Sequence, residues 1–234
     1  MAARLQASAI LRDMASSGSP PNPTNRSLYV QFGCGMFGPE EWTNFDASVT
    51  LKWERIPVLG RFTKNSQRYP DNVRVGNIVE GLPVPDQSCQ GVYASHVLEH
   101  LTLEDFHKAL ENTYRMLRKD GIFRLVVPDL EWSAREYVAR IDKGDPEANS
   151  LFLKETSLGL ERQFRGLIAF SRKMLGDLNP HLWMWDEISL TKALRDHGFL
   201  RIRRCQFGDC EDPMFSFVEN LGRFQNVVAM EARR

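Results

Sequence analysis

Three glycines and an acid carry the first chemistry this chain offers: Gly33, Gly35 and Gly38 in FGCGMFG, and Asp46 closing NFD. An apolar run over 28–32, broken only by Gln31, leads into the glycines. A strand that runs into glycines makes a turn where the backbone can approach a ligand closely. An acid at the end of the next strand can grip both hydroxyls of a ribose. The pair points to a nucleoside-bearing cofactor.

Gly33-Cys-Gly35-Met-Phe-Gly38 matches G-x-G-x-x-G, the fingerprint of dinucleotide sites, but its surroundings do not fit one. In a dinucleotide site the ribose acid lies about 20 residues further on, whereas Asp46 follows Gly33 by only 13. Pro39 could start a short helix. Glu40 and Glu41 would then stand where a pyrophosphate needs the positive helix end. A cofactor with a sulfonium and an ammonium, and no phosphate, escapes that repulsion. S-adenosylmethionine is such a cofactor; a nicotinamide oxidoreductase is the competing reading.

The second group is His96-Val-Leu-Glu99-His100, a match to H-x-x-E-H. A zinc site of that kind needs both histidines on one face of a helix and a third ligand downstream. Here the motif straddles a strand end and a short turn. No metal is expected, and Glu99 and His100 are read as tying the turn to the backbone through hydrogen bonds. His96 and His181 compete as general base. His96 is favoured, because it follows a strand directly and so sits at the carboxyl end of a sheet, where ligands bind.

The elements that must position these residues follow from periodicity. Strands are expected at 28–32, 44–46, 73–77, 91–94, 122–127, 199–207 and 226–232. The clearest helix is 101–119, with Leu103, Phe106, Leu110, Thr113 and Leu117 on one face, Thr102 as cap and Gly121 at the exit. Residues 52–70 read as irregular. Helices at 131–141, 147–158 and 161–175 follow one another without strands and suggest a helical cap over 131–186. A last helix is expected at 188–197. Only eight residues separate Gly35 from Asn44, too few for a normal crossover. The first helix is therefore cut to about one turn, or the first two strands connect unusually. The alternation of strand and helix argues an α/β fold, a parallel sheet with helices on both faces. Residues 1–26, with the linker-like SSGSPPNPTN, read as a flexible extension before a domain at 27–234.

Thirty Lys+Arg balance thirty Asp+Glu, which removes any general electrostatic drive toward nucleic acid or anionic membrane. No apolar run approaches the ~20 residues of a membrane span. Cys34, Cys89, Cys205 and Cys210 form no CxxC pair and read as free thiols of a reducing cytosol. A cytoplasmic protein is expected.

FGCG, NFD, LPVPDQS, YASHVLEHL, YRMLRKDGIFRLVVPDLE, HLWMWDE and LRDHGF, in this order and spacing, resemble the class I S-adenosylmethionine-dependent methyltransferases. Within them the chain is similar to a bacterial subgroup of predicted methyltransferases often linked to surface-polysaccharide genes. The resemblance runs from Ser27 to the C-terminus. It implies a Rossmann-like, seven-stranded, mostly parallel sheet with the last strand antiparallel, and S-adenosylmethionine over the carboxyl ends of the first strands. It implies that Gly33 and Gly35 meet the methionine part, Asp46 the ribose, Asn77 the adenine amine and Ile78 the adenine face. Ala94 and Ser95 would border the cofactor at the fourth strand. The implied acceptor is a small polar molecule, a sugar or glycan intermediate, and a histidine at 181 is in keeping with the family. Three positions depart from it: Gln31 replaces a frequent acid, Gln90-Gly91 replaces Phe-Asp, and Asn77 lacks a charge. These departures keep open a non-catalytic module that holds the cofactor or a partner protein.

Overall fold

The computed structural model of the chain describes residues 28–56, 68–159 and 180–234. Seven strands form one sheet: β1 (Leu28–Phe32), β2 (Thr43–Asp46), β3 (Val73–Val75), β4 (Cys89–Ser95), β5 (Leu117–Pro128), β6 (Leu200–Arg204) and β7 (Val227–Arg233). Their order is β3-β2-β1-β4-β5-β7-β6. β1 to β5 pair in parallel, and β7 runs antiparallel to both β5 and β6. This is the Rossmann-like sheet that the resemblance implied. The chain winds outward from β1 to β3, then restarts at β4 on the other side of β1. Such a switch point opens a crevice at the carboxyl ends of the two strands.

Among the described residues the α-helices are α1 (Val49–Glu54), α2 (Leu103–Met116), α3 (Leu130–Asp142), α4 (Ala148–Glu155) and α5 (Glu187–Asp196). α1 overlaps the start of the stretch at 52–70 read as irregular; Ser48 caps it by accepting from the Thr50 N–H. α2 is shorter than expected at both ends. Thr102 does cap it, accepting from the Asp105 N–H at 3.2 Å. At the other end Leu117 already belongs to β5 and pairs with Cys89, so Gly121 is not the helix exit. Gly121 lies where β5 passes so close to β4 that a Cβ would stand 2.8 Å from the Cys89 carbonyl oxygen. Leu103, expected on the buried face, is exposed.

Alternation along the strands divides the core. On one face Phe106 and Leu110 of α2 and Leu190 and Leu194 of α5 pack with Val30, Phe32, Val92, Phe123 and Leu125. On the other, Trp42, Tyr93, Ile122 and Val126 pack with Phe215 and Val218. Those last two belong to the segment between β6 and β7, whose 3-10 turns span Pro213–Phe217 and Leu221–Arg223. Arg124 is fully buried on this second face. It pairs with Glu219, with Glu231 at 2.8 Å and with Asp209 at 2.8 Å; Glu231 is its cross-strand neighbour.

Between β1 and β2 the chain turns without a helix, so Pro39 starts none. A pair of amides at matching register does the work. Gln31 Nε2 donates to the Phe37 carbonyl at 2.8 Å and to Asn44 Oδ1 at 2.6 Å, and Asn44 Nδ2 donates to the Pro39 and Trp42 carbonyls. After β5, α3 and α4 leave the sheet, and the chain returns at a parallel bridge between Asp129 and Trp185, where the Leu130 N–H donates to the Trp185 carbonyl at 2.8 Å. The helix expected at 161–175 and the extension at 1–26 lie outside the described residues. Among the described residues no helix is long and apolar enough to cross a membrane.

Candidate functional site

The glycine turn closes the carboxyl end of β1 against the residue after His96. Gly33 has φ +64°, and a Cβ there would stand 2.1 Å from Val97 Cγ2. Gly35 has φ +55°, and a Cβ there would meet nothing within 4 Å. One glycine is required by packing. The other leaves a bare stretch of backbone facing open space, as a ligand that approaches the main chain needs.

Asp46 ends β2 and is buried. Its Oδ2 accepts from the Gly35 N–H at 2.8 Å and its Oδ1 from the Ser48 N–H at 2.8 Å. Each carboxylate oxygen has two acceptor sites, so both retain capacity for a hydroxyl. Asp46 thus holds the glycine turn and can still receive a ribose. Burial, and then the nearby Asp46 charge, push the Cys34 thiol up to about 12, which keeps it protonated and unreactive.

Between the ends of β1 and β4 lies a cavity of about 100 Å³. Gln31, Gly33 and Phe37 line it from the β1 side, Tyr93 and Ser95 from β4, and Asn220 and Arg223 from the far segment. Arg223 Nη2 donates to the Ser95 carbonyl at 2.8 Å and so fixes that segment over the strand end. The Tyr93 and Ser95 hydroxyls are buried, with little beyond each other to bond to. Burial pushes the Tyr93 phenol up to about 12, so it stays a donor. The cavity is too small for a whole nucleoside cofactor. It suits the methionine end of one, with the remainder along the open edge past Gly35 and Asp46. These residues fit S-adenosylmethionine: an open backbone cradle, a carboxylate with spare acceptor sites and two buried hydroxyls at the strand end.

The other sequence-derived residues stand at varied distances from this edge. Ala94 is buried beneath it. Asn77 shapes its own turn, accepting from the Val79 N–H and donating to Glu80 Oε1, both at 3.0 Å. Ile78 is buried in the core with Leu82 and presents little surface to a ligand. Phe37, Tyr93, Asn220 and Arg223 escaped sequence reasoning. Asn220 and Arg223 come from far along the chain, and only the packing of Phe215 and Val218 on the sheet brings them over β4.

His96 caps β4 with φ +53°, a backbone conformation uncommon for a histidine. Its Nε2 lies 3.0 Å from the Arg223 carbonyl oxygen, and its Nδ1 lies 3.4 Å from Glu99 Oε1. Glu99 is buried, and neither of its carboxylate oxygens has a hydrogen-bond partner. The turn is tied to the backbone by His100, whose Nδ1 lies 3.1 Å from the Pro180 carbonyl oxygen, and not by the Glu99 side chain. His181 is drawn into this group by its neighbours: the Leu182 and Trp183 N–H groups donate to the Glu99 carbonyl at 2.8 and 3.2 Å. The His100 and His181 rings lie 5.1 Å apart. Burial lowers the His181 pKa, against an upward pull from Glu99.

Residues 56–125 match a family model described as a methyltransferase domain. No curated protein matches the sequence. Solved structures similar to the chain include an S-adenosylmethionine-dependent methyltransferase from Archaeoglobus fulgidus, at 15% identity over 99% of this chain and 94% of that one, with a TM-score of 0.48. Another is a possible histamine N-methyltransferase from Thermotoga maritima, at 17% identity, 89% and 83% coverage and a TM-score of 0.47. A third is the 1,6-didemethyltoxoflavin N1-methyltransferase of Burkholderia thailandensis, at 15% identity, 98% and 76% coverage and a TM-score of 0.44. Likenesses this distant carry no argument. What stands is that residues 56–125 match a methyltransferase domain, and that the sheet order and the glycine-and-acid edge are those a site for S-adenosylmethionine needs.

Proposed function

We propose that this methyltransferase acts on a small polar acceptor, a sugar or glycan intermediate, in the cytoplasm and in the service of polysaccharide biosynthesis. The observation that supports the reading is the polar wall of the cavity between β1 and β4, where an acceptor would meet the methyl-bearing end of the cofactor. That wall carries the paired hydroxyls of Tyr93 and Ser95, beside the amides of Gln31 and Asn220 and the guanidinium of Arg223. Hydroxyls and amides at close quarters suit a hydroxyl-rich ligand better than an apolar one.

S-adenosylmethionine supplies an electrophilic methyl group when bound. Gly33 and Gly35 give the backbone its close approach, Asp46 takes the ribose hydroxyls, and Ala94 and Ser95 border the site at β4. Asn77 and Ile78 flank the adenine end through the turn they form. His96 is the base. A carbonyl oxygen only accepts, so the nitrogen facing Arg223 carries the ring's proton, and Nδ1 takes the proton from the acceptor hydroxyl. His181 is the competing base. Residues 131–186 serve as the cap that encloses the acceptor, and holding acceptor and cofactor in line supplies much of the rate.

The test is transfer of labelled methyl from S-adenosylmethionine to sugar nucleotides and glycan precursors, with peptides and small amines alongside. Transfer to a sugar hydroxyl supports the reading. Transfer to an amine alone overturns the acceptor class. A second reading, a non-catalytic module, draws on the engagement of both His96 ring nitrogens. It requires tight cofactor binding with no labelled product from any acceptor or from a lysate of the source organism.

A further inference from the structure

The group around Glu99 presents acceptors to one another. Glu99 is 1% exposed, and both of its oxygens lack a donor. A buried carboxylate in that state is strongly unfavourable unless a positive charge stands beside it. The nearest nitrogens do not supply one as neutral rings. His100 Nδ1 faces the Pro180 carbonyl oxygen, so that nitrogen carries the proton and the Nε2 lone pair faces Glu99 Oε1 at 3.9 Å. His96 repeats the arrangement, with Nε2 on the Arg223 carbonyl and the Nδ1 lone pair toward Glu99 at 3.4 Å. His181 adds a buried Nδ1 with no partner.

One atom each from Glu99, His100 and His181 lie within 4.8 Å of one another. Ligands on a tetrahedral zinc ion, with bonds of about 2.1 Å, stand about 3.4 Å apart. Small side-chain rotations close the difference. We propose that Glu99, His100 and His181 bind a divalent transition-metal ion, and that the ion is zinc.

The ligand set selects the metal. Two imidazoles and one carboxylate suit zinc, whereas magnesium and calcium prefer oxygen ligands and water. The supporting bonds are of the kind that metal-ligating histidines make, with His100 oriented through its other nitrogen on a backbone carbonyl. The third ligand, which H-x-x-E-H alone lacks, arrives from His181 through the backbone bonds of Leu182 and Trp183 to Glu99. A carboxylate has two oxygens, so one can hold the ion while the other faces His96. The ion joins the turn after β4 to the point where the 130–185 excursion comes back, and three protein ligands leave its fourth position open.

The test uses the full chain, stripped with a chelator and dialysed against zinc. About one equivalent of zinc should remain bound per chain. Cobalt in its place should give the visible absorption of a four-coordinate nitrogen and oxygen site. Glu99→Gln and His181→Ala should each lose the bound ion. His107→Ala, which breaks a histidine pair on the outer surface of α2 and α5, should keep it. Should the first two variants fail to fold, the cobalt spectrum of the unaltered chain decides. Substoichiometric zinc in the unaltered chain, retention of zinc by both ligand variants, its loss in His107→Ala, or a six-coordinate cobalt spectrum would overturn the proposal. Cofactor binding is measured separately by calorimetry, so failure of the metal site leaves the methyltransferase reading standing.

Discussion

Gly33 lies directly beneath Val97: a Cβ at position 33 would stand 2.1 Å from Val97 Cγ2. The glycine turn and the turn that carries His96 are therefore one packed unit. Gly33→Ala must either push Val97 aside or shift the β1 turn, and its φ is unfavourable for alanine as well. A loss of about 1–3 kcal/mol in stability is expected, read as a lower denaturation midpoint. Gly35→Ala meets no neighbour, so its stability loss should be smaller. Its methyl group instead fills the open backbone cradle, and calorimetry should show weakened S-adenosylmethionine binding.

Asp46→Ala should weaken S-adenosylmethionine binding by about 1.5–3 kcal/mol. It should also loosen the turn, because the Gly35 and Ser48 N–H groups lose their acceptor. Asp46→Asn keeps one acceptor oxygen and should fall between. Affinity unchanged in both variants would remove Asp46 from the site.

His96→Gln keeps a polar side chain but not the basicity. kcat should fall by ~10²–10⁴-fold with cofactor affinity nearly intact. Full activity in this variant, with the acid side of the pH–rate profile unmoved, moves the base to His181.

Arg124→Met should cost about 3–5 kcal/mol, because Glu219 and Glu231 stay buried without their cation. The same cluster sets an acid limit. Burial alone would raise the Asp209 carboxyl; hydrogen bonds from Arg203, the Gln206 backbone and Arg124 outweigh it and hold the group below the usual range. A depressed carboxylate adds stability above its unfolded pKa of about 3.9, and that stability is lost as pH falls through the folded value. Urea titrations from pH 6 down to pH 2 should show this loss, and it should shrink in Asp209→Asn.

The central strands β1, β4 and β5 were legible because each carries an apolar run next to turn residues, and α2 because its face repeats at helical spacing. Element ends were less so. Leu117 fits the helical face, yet pairing with Cys89 claims it for β5. The glycine-and-acid edge could be read from local order alone. The β1–β2 connection could not, since the Gln31–Asn44 amide pair forms only once the strands are in register. Arg223 and Asn220 gave no signal, because the β6–β7 segment reaches β4 only through long-range contacts, the packing of Phe215 and the bonds of Arg223 to Ser95 and His96. His181 beside Glu99 was illegible for the same reason: two backbone bonds across distant segments put it there.

The bridge between Asp129 and Trp185 brings the two ends of the excursion after β5 together. Chain that departs and returns through neighbouring points imposes no tension on the sheet, whatever its length. The entropy of closing such a loop grows only slowly with added residues. Residues can be added between these two points while the strands keep their register, provided that Pro180, Leu182 and Trp183 still reach the turn at Glu99. The excursion is in that sense an attachment whose length the sheet itself does not set.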